Sequence, residues 1–273
     1  MYTKNFVIWI IFLCLFLGSA CQHEKTVHLK LSGHRGADFI APENTLASID
    51  SCIKYQIDFA ECDVCISKDS VFYLLHDSLL DRTTNGQGNI QDWMSVDIDT
   101  LDAGSWFGDE FRGERVPRLK EVLKRAKDGG IGITIDYRTG DMERLLDLIR
   151  GEDMLDRCTF VFSTEEEFKA FRRLAPEVRG IQAYVRFIAD FERVVSELKP
   201  DIVVIHVDSL TRELIDRSHD LGIKVLALAF NKKNPTISFR KSVRLGVDIL
   251  GTDRPEYLVR EFDLIENKRE TIP

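Results

Sequence analysis

Short β-rich runs alternate with amphipathic helical segments along most of this 273-residue chain. The helical segments, such as "RLKEVLKRAK" and "DFERVVSELK", repeat apolar residues at the spacing of one helix face. Eight β-rich runs in roughly 250 residues match an α/β fold of the (β/α)8, or TIM, barrel type. A doubly wound open sheet is the alternative, but no G-x-G-x-x-G follows the first run. The predicted strands are Leu29–Gly33, Phe59–Val64, Gly132–Tyr137, Thr159–Ser163, Gly180–Val185, Ile202–Val207, Lys224–Phe230 and Asp248–Gly251.

A ninth β-rich run, Val71 to Leu75, does not belong to this eight-fold count. The preceding "ISKDS" predicts a two-residue turn, which makes the run a hairpin arm of the second strand. In that register His76 lies directly opposite Asp63 and shares its face. The stretch from about 66 to 116 is therefore predicted to be an insertion on the rim of the barrel.

The N-terminal segment is typical of an export signal. Lys4 precedes an apolar run, Phe6 to Leu17, which is too short to span a bilayer but suits a signal peptide. The ending "LGSAC" resembles a bacterial lipobox, which predicts a lipid on Cys21 and attachment to the membrane of the bacterial envelope. An ordinary cleaved signal is the alternative. The predicted organisation is a signal peptide (1–20), a short tether (21–27) and a single domain (28–273).

The charge balance disfavours nucleic acid as a partner. The chain carries 37 Lys and Arg against 45 Asp and Glu, which gives a net charge of −8 without any basic tract. A phosphate ligand would therefore have to be bound by a few local cations.

The mature chain keeps four cysteines after Cys21, and two of them, Cys62 and Cys65, form a C-x-x-C. Residues three apart on a strand point to opposite faces, and no second Cys or His pair completes a zinc set. We interpret them as structural thiols and leave a disulfide open.

Polar residues occur at the ends of the first three predicted strands, in "GHRG", "ECD" and "DYR". Strand alternation places Glu61 with Asp63 and Asp136 with Arg138, opposite the apolar residues that face the helices. The C-terminal ends of barrel strands meet at one mouth, where three carboxylates would repel each other unless a cation joined them. Oxygen ligands favour Ca²⁺ or Mg²⁺.

The charges at this mouth suit a phosphodiester. Three carboxylates (−3), Arg35 and Arg138 (+2) and a divalent ion (+2) sum to +1, which complements a diester of charge −1. The alternative is that these groups form structural ion pairs in the polar centre of the barrel.

Four segments carry a resemblance to a known family: "GHRGADFIAPENTLASI", "ECDVCISKDSVFYLLHDSLLDRTTNGQGNI", "LDAGSWFGDEFRGERVPRLKEVL" and "LGVDILGTDRPEYL". In this order they resemble the glycerophosphodiester phosphodiesterases, from about Gly33 to Leu258. The resemblance implies a metal-dependent TIM barrel with a rim insertion. It also implies cleavage of a small-molecule diester to glycerol 3-phosphate and an alcohol. The roles it implies are metal ligation by Glu61 and Asp63, acid–base catalysis by His34 and His76, phosphate contact by Arg35, and a further site role for Glu43, which could orient His34 or meet the metal.

Two departures from the family pattern leave substrate choice open. The family usually has E-I-K where this chain has Asp136-Tyr137-Arg138, and an aromatic W-T-x-N where Leu228 replaces the Trp. A lysophospholipase D-like hydrolase of lipid diesters and a degenerate barrel that only binds phosphodiesters or glycans are therefore the alternative functions. The remaining histidines are predicted to be structural or exposed, although His206 lies near a strand end.

Overall fold

The computed structural model describes residues 29–230 and 234–268, with side chains as far as residue 261. Its strands are β1 Lys30–Gly33, β2 Phe59–Ile66, β3 Phe72–Leu74, β4 Gly132–Tyr137, β5 Cys158–Phe162, β6 Gln182–Tyr184, β7 Ile202–His206, β8 Lys224–Leu228 and β9 Ile249–Thr252. Its helices are α1 Leu46–Lys54, α2 Ser95–Ile98, α3 Leu119–Gly129, α4 Met142–Gly151, α5 Glu165–Leu174, α6 Phe191–Leu198, α7 Arg212–Asp220, α8 Pro235–Leu245 and α9 Pro255–Lys268. Each of the eight predicted barrel runs overlaps one of these strands, although β2, β5 and β9 extend one or two residues beyond the predicted bounds.

Eight parallel strands form a nearly closed barrel in the order β5-β4-β2-β1-β9-β8-β7-β6. The seam between β5 and β6 has a single backbone bridge, Phe160 to Ile181. Inside the barrel, side chains reinforce this seam: the hydroxyls of Thr134 and Thr159 lie 2.8 Å apart, and the Gln182 amide donates to Thr159 Oγ1 at 2.8 Å. The predicted α/β barrel is thus confirmed.

Local sequence signals account for the helices that surround the barrel. The Thr45 side chain caps α1 and the Asp141 side chain caps α4, each accepting from N–H groups that have no partner within the helix. Helix α3 turns Leu119, Val122 and Leu123 inward, and all three are completely buried. These apolar faces pack on the outward face of the sheet and form the main core.

The segment between β2 and α3 is an insertion with a small core of its own. Buried residues of this core include Tyr73, Leu80, Ile90, Ile98 and Leu101. The hydroxyl of Tyr73 donates to the Asp99 carboxylate at 2.7 Å, so the polar end of this buried side chain has a partner. The insertion is therefore a folded cap on the rim rather than an irregular loop.

The predicted register of the β2–β3 hairpin is wrong by one residue. Strand β3 pairs antiparallel with β2, but Leu75, and not His76, lies opposite Asp63: the Leu75 N–H donates to the Asp63 carbonyl at 3.0 Å. The turn contains three residues instead of two, because Ser70 adopts a left-handed conformation at φ 66°. His76 nevertheless reaches the mouth of the barrel, since β3 ends at Leu74 and the chain bends immediately afterwards.

The four cysteines of the described chain, Cys52, Cys62, Cys65 and Cys158, are buried free thiols. Burial raises the pKa of the Cys52 and Cys65 thiols well above the ordinary value, which keeps them protonated and unreactive. No described helix combines the length and the hydropathy needed to cross a bilayer. The predicted signal peptide, lipid-bearing Cys21 and tether lie outside the described residues.

Candidate active site

A cavity of about 300 Å³ opens at the C-terminal ends of the strands. One side of it is polar and is formed by β1, β2, β4 and the segments that follow β1 and β3. The other side is apolar and includes Val161, Val204, Leu226, Leu228 and Phe230. The polar lining consists mainly of Ser32, His34, Arg35, Glu61, Asp63, His76, Thr134, Asp136 and Arg138.

Three carboxylates meet on the polar side. Glu61 and Asp63 project from β2 into the barrel, while the residues between and beside them, Ala60, Cys62 and Val64, are buried against the helices. Asp63 is the lateral neighbour of Asp136 on β4. One oxygen each from Glu61, Asp63 and Asp136 lies within 4.8 Å of the others. The alternation predicted for β2 and β4 is thus confirmed.

The electrostatics of this acidic cluster indicate a site for a cation. Burial raises the pKa of Glu61 to about 8, and the charge of Asp63 adds to the effect. Burial also raises the pKa of Asp136 to about 7, although the Arg138 guanidinium opposes it. Three converging oxygens whose ionised forms repel each other are the donor set that a hard divalent ion needs. The residues present therefore fit such an ion.

Asp63 is the centre of the hydrogen-bond network and is almost completely buried. The Asn44 side chain donates to Asp63 Oδ2 at 2.7 Å and accepts from the Asp63 N–H at 3.0 Å. Arg138 donates to Asp63 Oδ1 through Nε at 2.9 Å and Nη2 at 2.6 Å, and Nη2 also reaches Asp136 at 3.0 Å. The Arg35 guanidinium lies 3.5 Å from Asp63 Oδ2. Both predicted phosphate-binding arginines are thus held at the acidic cluster.

The backbone of "HRG" is bent so that Arg35 reaches this cluster. Arg35 has a φ of 48°, an unfavourable region for a side chain of its size, and its N–H donates to Glu61 Oε2 at 2.8 Å. Gly36 follows at φ 84°, where a Cβ atom would lie 2.3 Å from the Ser48 hydroxyl. Glycine is therefore required at this turn.

His34 is held by two carboxylates. Its Nδ1 lies 2.8 Å from Asp38 Oδ2 and 3.0 Å from Asp253 Oδ1, and its ring stacks on Phe230 with centroids 4.0 Å apart. Burial alone would lower the pKa of His34, but the bonds to Asp253 and Asp38 outweigh it and raise the pKa to about 10. With Nδ1 engaged, Nε2 is the ring nitrogen left for chemistry in the cavity.

His76 enters the cavity from the insertion. Its Nδ1 lies 2.7 Å from Asp77 Oδ1, and Arg82 Nε donates to the other oxygen of Asp77 at 2.6 Å. This hydrogen bond from Arg82 lowers the pKa of Asp77 to about 2. Asp77 therefore stays ionised and fixes the orientation of the His76 ring.

Glu43 contacts arginines rather than His34 or the acidic cluster. It accepts from Arg35 Nη1 at 2.8 Å and from Arg82 Nη1 and Nη2 at 2.7 and 2.8 Å. Burial would raise the pKa of Glu43, but Arg82 and Arg35 outweigh it and hold the pKa below its ordinary value. The expectation that Glu43 could orient His34 or meet the metal is thus not met, because Asp38 and Asp253 occupy that position at His34.

The structure brings His34, Arg35, Glu61, Asp63, His76, Asp136 and Arg138 into one cavity, and Leu228 lines its apolar side. His206 is not among the lining residues and contacts Asp208 instead. Sequence reasoning missed Asp38, Asn44, Asp77, Arg82 and Asp253. Two of them had a signal in their position beside an assigned residue: Asn44 follows Glu43, and Asp77 follows His76.

A buried acidic cluster flanked by two imidazoles and two guanidinium groups, at the mouth of an α/β barrel, defines a barrel enzyme suited to phosphodiester hydrolysis. Residues 34–257 match the model of the glycerophosphoryl diester phosphodiesterase family, and the chain belongs to this family. It is similar to YhdW, a glycerophosphodiester phosphodiesterase homologue of Bacillus subtilis, with 30% identity over 84% of this chain and 96% of that protein.

Solved structures agree with this membership. A glycerophosphodiester phosphodiesterase from Agrobacterium tumefaciens superposes with a TM-score of 0.79 and 31% identity, covering 85% of this chain and 99% of that one. A phosphodiesterase from Oleispira antarctica, solved with the product sn-glycerol-3-phosphate, gives a TM-score of 0.77 and 25% identity over 86% and 96% of the two chains.

Proposed function

We propose that this protein hydrolyses glycerophosphodiesters to glycerol 3-phosphate and an alcohol, using one divalent cation and the two imidazoles of His34 and His76. The observation that carries the proposal is the meeting of three carboxylates and both imidazoles in one cavity of about 300 Å³. Family membership and a similar phosphodiesterase solved with glycerol 3-phosphate support the substrate class.

Glu61, Asp63 and Asp136 would hold the cation, for which Ca²⁺ and Mg²⁺ are the candidates because every ligand is a carboxylate oxygen. When bound, the ion supplies positive charge beside the non-bridging oxygens of the phosphate. Arg35 and Arg138 add two fixed charges at the same place. An otherwise acidic protein can bind an anionic diester through this local balance.

The two histidines are suited to proton transfer. Each ring is fixed through Nδ1 by a carboxylate, so that Nε2 can exchange a proton with the substrate. A substrate hydroxyl next to the ester forms a bond to phosphorus while the bond to the leaving alcohol breaks. One imidazole takes the proton of that hydroxyl, and the other gives a proton to the departing oxygen. Water then opens the cyclic phosphate, with the two proton transfers reversed.

The test is an assay of the purified protein on glycerophosphocholine and glycerophosphoethanolamine. We expect activity that EDTA abolishes and that Ca²⁺ or Mg²⁺ restores. His34→Ala and His76→Ala should each lose roughly 10²–10⁴-fold in kcat/KM. His206→Ala, which removes an imidazole outside the cavity, is the matched control and should stay within about twofold of wild type. Full activity in chelator, or in either active-site variant, would refute the proposal.

A lipid diester is the second candidate substrate, and the apolar side of the cavity favours it. Leu226, Leu228 and Phe230 offer no hydrogen bond to a polar group of the substrate, whereas they suit packing against the acyl chain of a lipid diester. Comparing release of the same alcohol from a lysophospholipid and from its deacylated form decides between the two. Faster release from the acylated substrate would identify a lysophospholipase D-type activity. Tight binding of both without release would favour a barrel that only binds.

Export and lipid anchoring are a separate proposal that rests on residues 1–21. The basic Lys4, the apolar run and "LGSAC" support a lipoprotein signal with Cys21 as the modified residue. Labelling of cells with a radioactive fatty acid should mark the wild-type protein, which should fractionate with the envelope. Cys21→Ser should remove the label. Labelling that persists in this variant would contradict the assignment.

A further inference from the structure

We infer that Arg82 is a positioning residue that sets the place of His76 relative to Arg35, by bridging the carboxylates of Asp77 and Glu43. The inference rests on the proposed function, because it assigns His76 to proton transfer and Arg35 to phosphate binding. Arg82 itself is not among the residues that line the cavity.

The contacts of Arg82 use three different nitrogens. Nε donates to Asp77 Oδ2 at 2.6 Å, while Nη1 and Nη2 donate to the two oxygens of Glu43 at 2.7 and 2.8 Å. The guanidinium is planar, so these hydrogen bonds fix the two carboxylates in one relative orientation. An ammonium group, being a single point of charge, could not hold both carboxylates in this way.

Each of these two carboxylates in turn contacts and orients one functional group of the site. Asp77 contacts Nδ1 of His76 at 2.7 Å, and Glu43 accepts from Nη1 of Arg35 at 2.8 Å. The continuous path therefore runs from the imidazole through Asp77, Arg82 and Glu43 to the guanidinium beside the acidic cluster. Its two ends belong to different parts of the molecule, since one lies on the insertion and the other on the barrel.

The two segments that Arg82 joins, its own turn and the segment of Glu43, are each held by contacts that do not involve Arg82. Arg82 lies in a turn whose Leu80 is completely buried in the core of the insertion, with the Thr84 N–H donating to the Leu80 carbonyl at 3.1 Å. Glu43 precedes Asn44, which is bound to Asp63. Arg82 thus joins two segments that are each held by other contacts, and its guanidinium sets the relative orientation of the Asp77 and Glu43 carboxylates.

The attachment of the insertion to the barrel does not depend on Arg82. Strand β3 pairs with β2, and the Ala47 N–H of α1 donates to the Glu114 carboxylate at 3.1 Å. Loss of Arg82 should therefore leave the protein folded and alter the geometry of the site. An exposed ion pair of purely structural value would instead contribute little to stability and nothing to catalysis.

The experiment compares Arg82→Gln and Arg82→Lys with Arg125→Gln. Arg125 is a matched control, because its guanidinium is about as exposed (47% against 43%) and binds both oxygens of Asp50 at 2.7 Å away from the cavity. We expect kcat/KM to fall roughly 10²-fold in Arg82→Gln, mostly through kcat, with partial recovery in Arg82→Lys. Arg125→Gln should stay within about twofold of wild type. Arg82→Gln within twofold of wild type would overturn the inference.

A second arm separates positioning from general destabilisation. In the His76→Ala background no imidazole remains for Asp77 to orient, so the loss caused by Arg82→Gln should shrink by at least about fivefold. The loss caused by Arg125→Gln should be the same in both backgrounds. An equal Arg82→Gln effect in the two backgrounds would show that Arg82 does not act through His76.

A third arm does not depend on turnover, so it distinguishes failure of this inference from failure of the proposed function. The ring resonances of His76, identified by their absence in His76→Ala, should shift in Arg82→Gln and not in Arg125→Gln. If the His76 resonances shift in Arg82→Gln but the wild-type protein does not cleave glycerophosphodiesters, the proposed function is refuted and the positioning role of Arg82 stands. Unchanged resonances in an active enzyme would sink the positioning role alone.

Discussion

The two sides of the cavity are built by different physical means. On the side of β1, β2 and β4, nearly every charged group is held by short hydrogen bonds, as Asn44 and Arg138 hold Asp63. On the side of β7, β8 and β9, aliphatic residues such as Val204 and Leu226 are positioned only by packing. Hydrogen bonds fix the direction in which a charged side chain points, whereas packing fixes only the volume that the cavity leaves open. Substitutions on the charged side should therefore change the rate of the reaction, and substitutions on the apolar side should change the selectivity between substrates.

The largest effect is expected at the centre of the charged side. Asp63→Asn removes the charge on which Arg138 and Arg35 converge, and it also weakens the proposed cation site. Activity should fall on the order of 10³-fold, because several preorganised charges lose their common partner. Asp50→Asn, an exposed carboxylate that pairs with Arg125, is the control in the same kinetic assay. A loss below tenfold in Asp63→Asn would show that the charged side does not control the chemistry.

A pH dependence of cation binding should follow from the same cluster. The raised pKa values of Glu61 and Asp136, about 8 and about 7, mean that protons must leave before a cation can bind. The affinity for Ca²⁺ or Mg²⁺, measured by calorimetry, should therefore be at least about tenfold weaker at pH 6 than at pH 8. Equal affinity at the two pH values would mean that these carboxylates are not the ligands.

The apolar side should respond in selectivity rather than in chemistry. Leu228→Ala removes apolar surface from the cavity wall, and the ratio of kcat/KM between two diesters with different alcohols should change by about tenfold. Cation affinity should not change. Leu221→Ala, at an exposed position on the outside of the barrel, should alter neither quantity. If Leu228→Ala lowered the rates for all diesters equally, the two sides would not be independent.

The smallest effect on activity is expected on the outer face of β2, which packs against the helices. Cys62 lies between Glu61 and Asp63 in sequence but is buried on the opposite face of β2. Cys62→Ala should leave activity within twofold of wild type and cost about 1 kcal/mol in the free energy of unfolding, measured by urea denaturation. A loss of activity well beyond twofold in a variant that still folds would contradict the assignment of Cys62 to the face of β2 that points away from the cavity.

Much of the fold could be predicted from sequence because it depends on short-range periodicity. Alternation along "ECD" and "TIDYR" was enough to place Glu61, Asp63 and Asp136 in the barrel. The register of the β2–β3 hairpin could not be predicted, since it depends on the left-handed conformation of Ser70, and a one-residue change in loop length shifts every pair.

The groups that orient the histidines were missed for a different reason. Asp253 lies more than two hundred residues from His34 in sequence and reaches it only because β1 pairs with β9, which places Gly33 beside Thr252. Arg82 and Glu43 likewise meet only after the insertion has folded onto the rim. Such contacts are fixed by closure of the barrel or by folding of the insertion onto its rim, and spacing along the chain does not reveal them.

Calorimetric titration with Ca²⁺ and Mg²⁺ at pH 8 tests the central claim most directly. Wild-type protein should bind one ion of at least one of these metals per chain, and Asp136→Asn should bind it at least about tenfold more weakly. Absence of binding in the wild type, or unchanged binding in Asp136→Asn, would contradict a cation site formed by these three carboxylates.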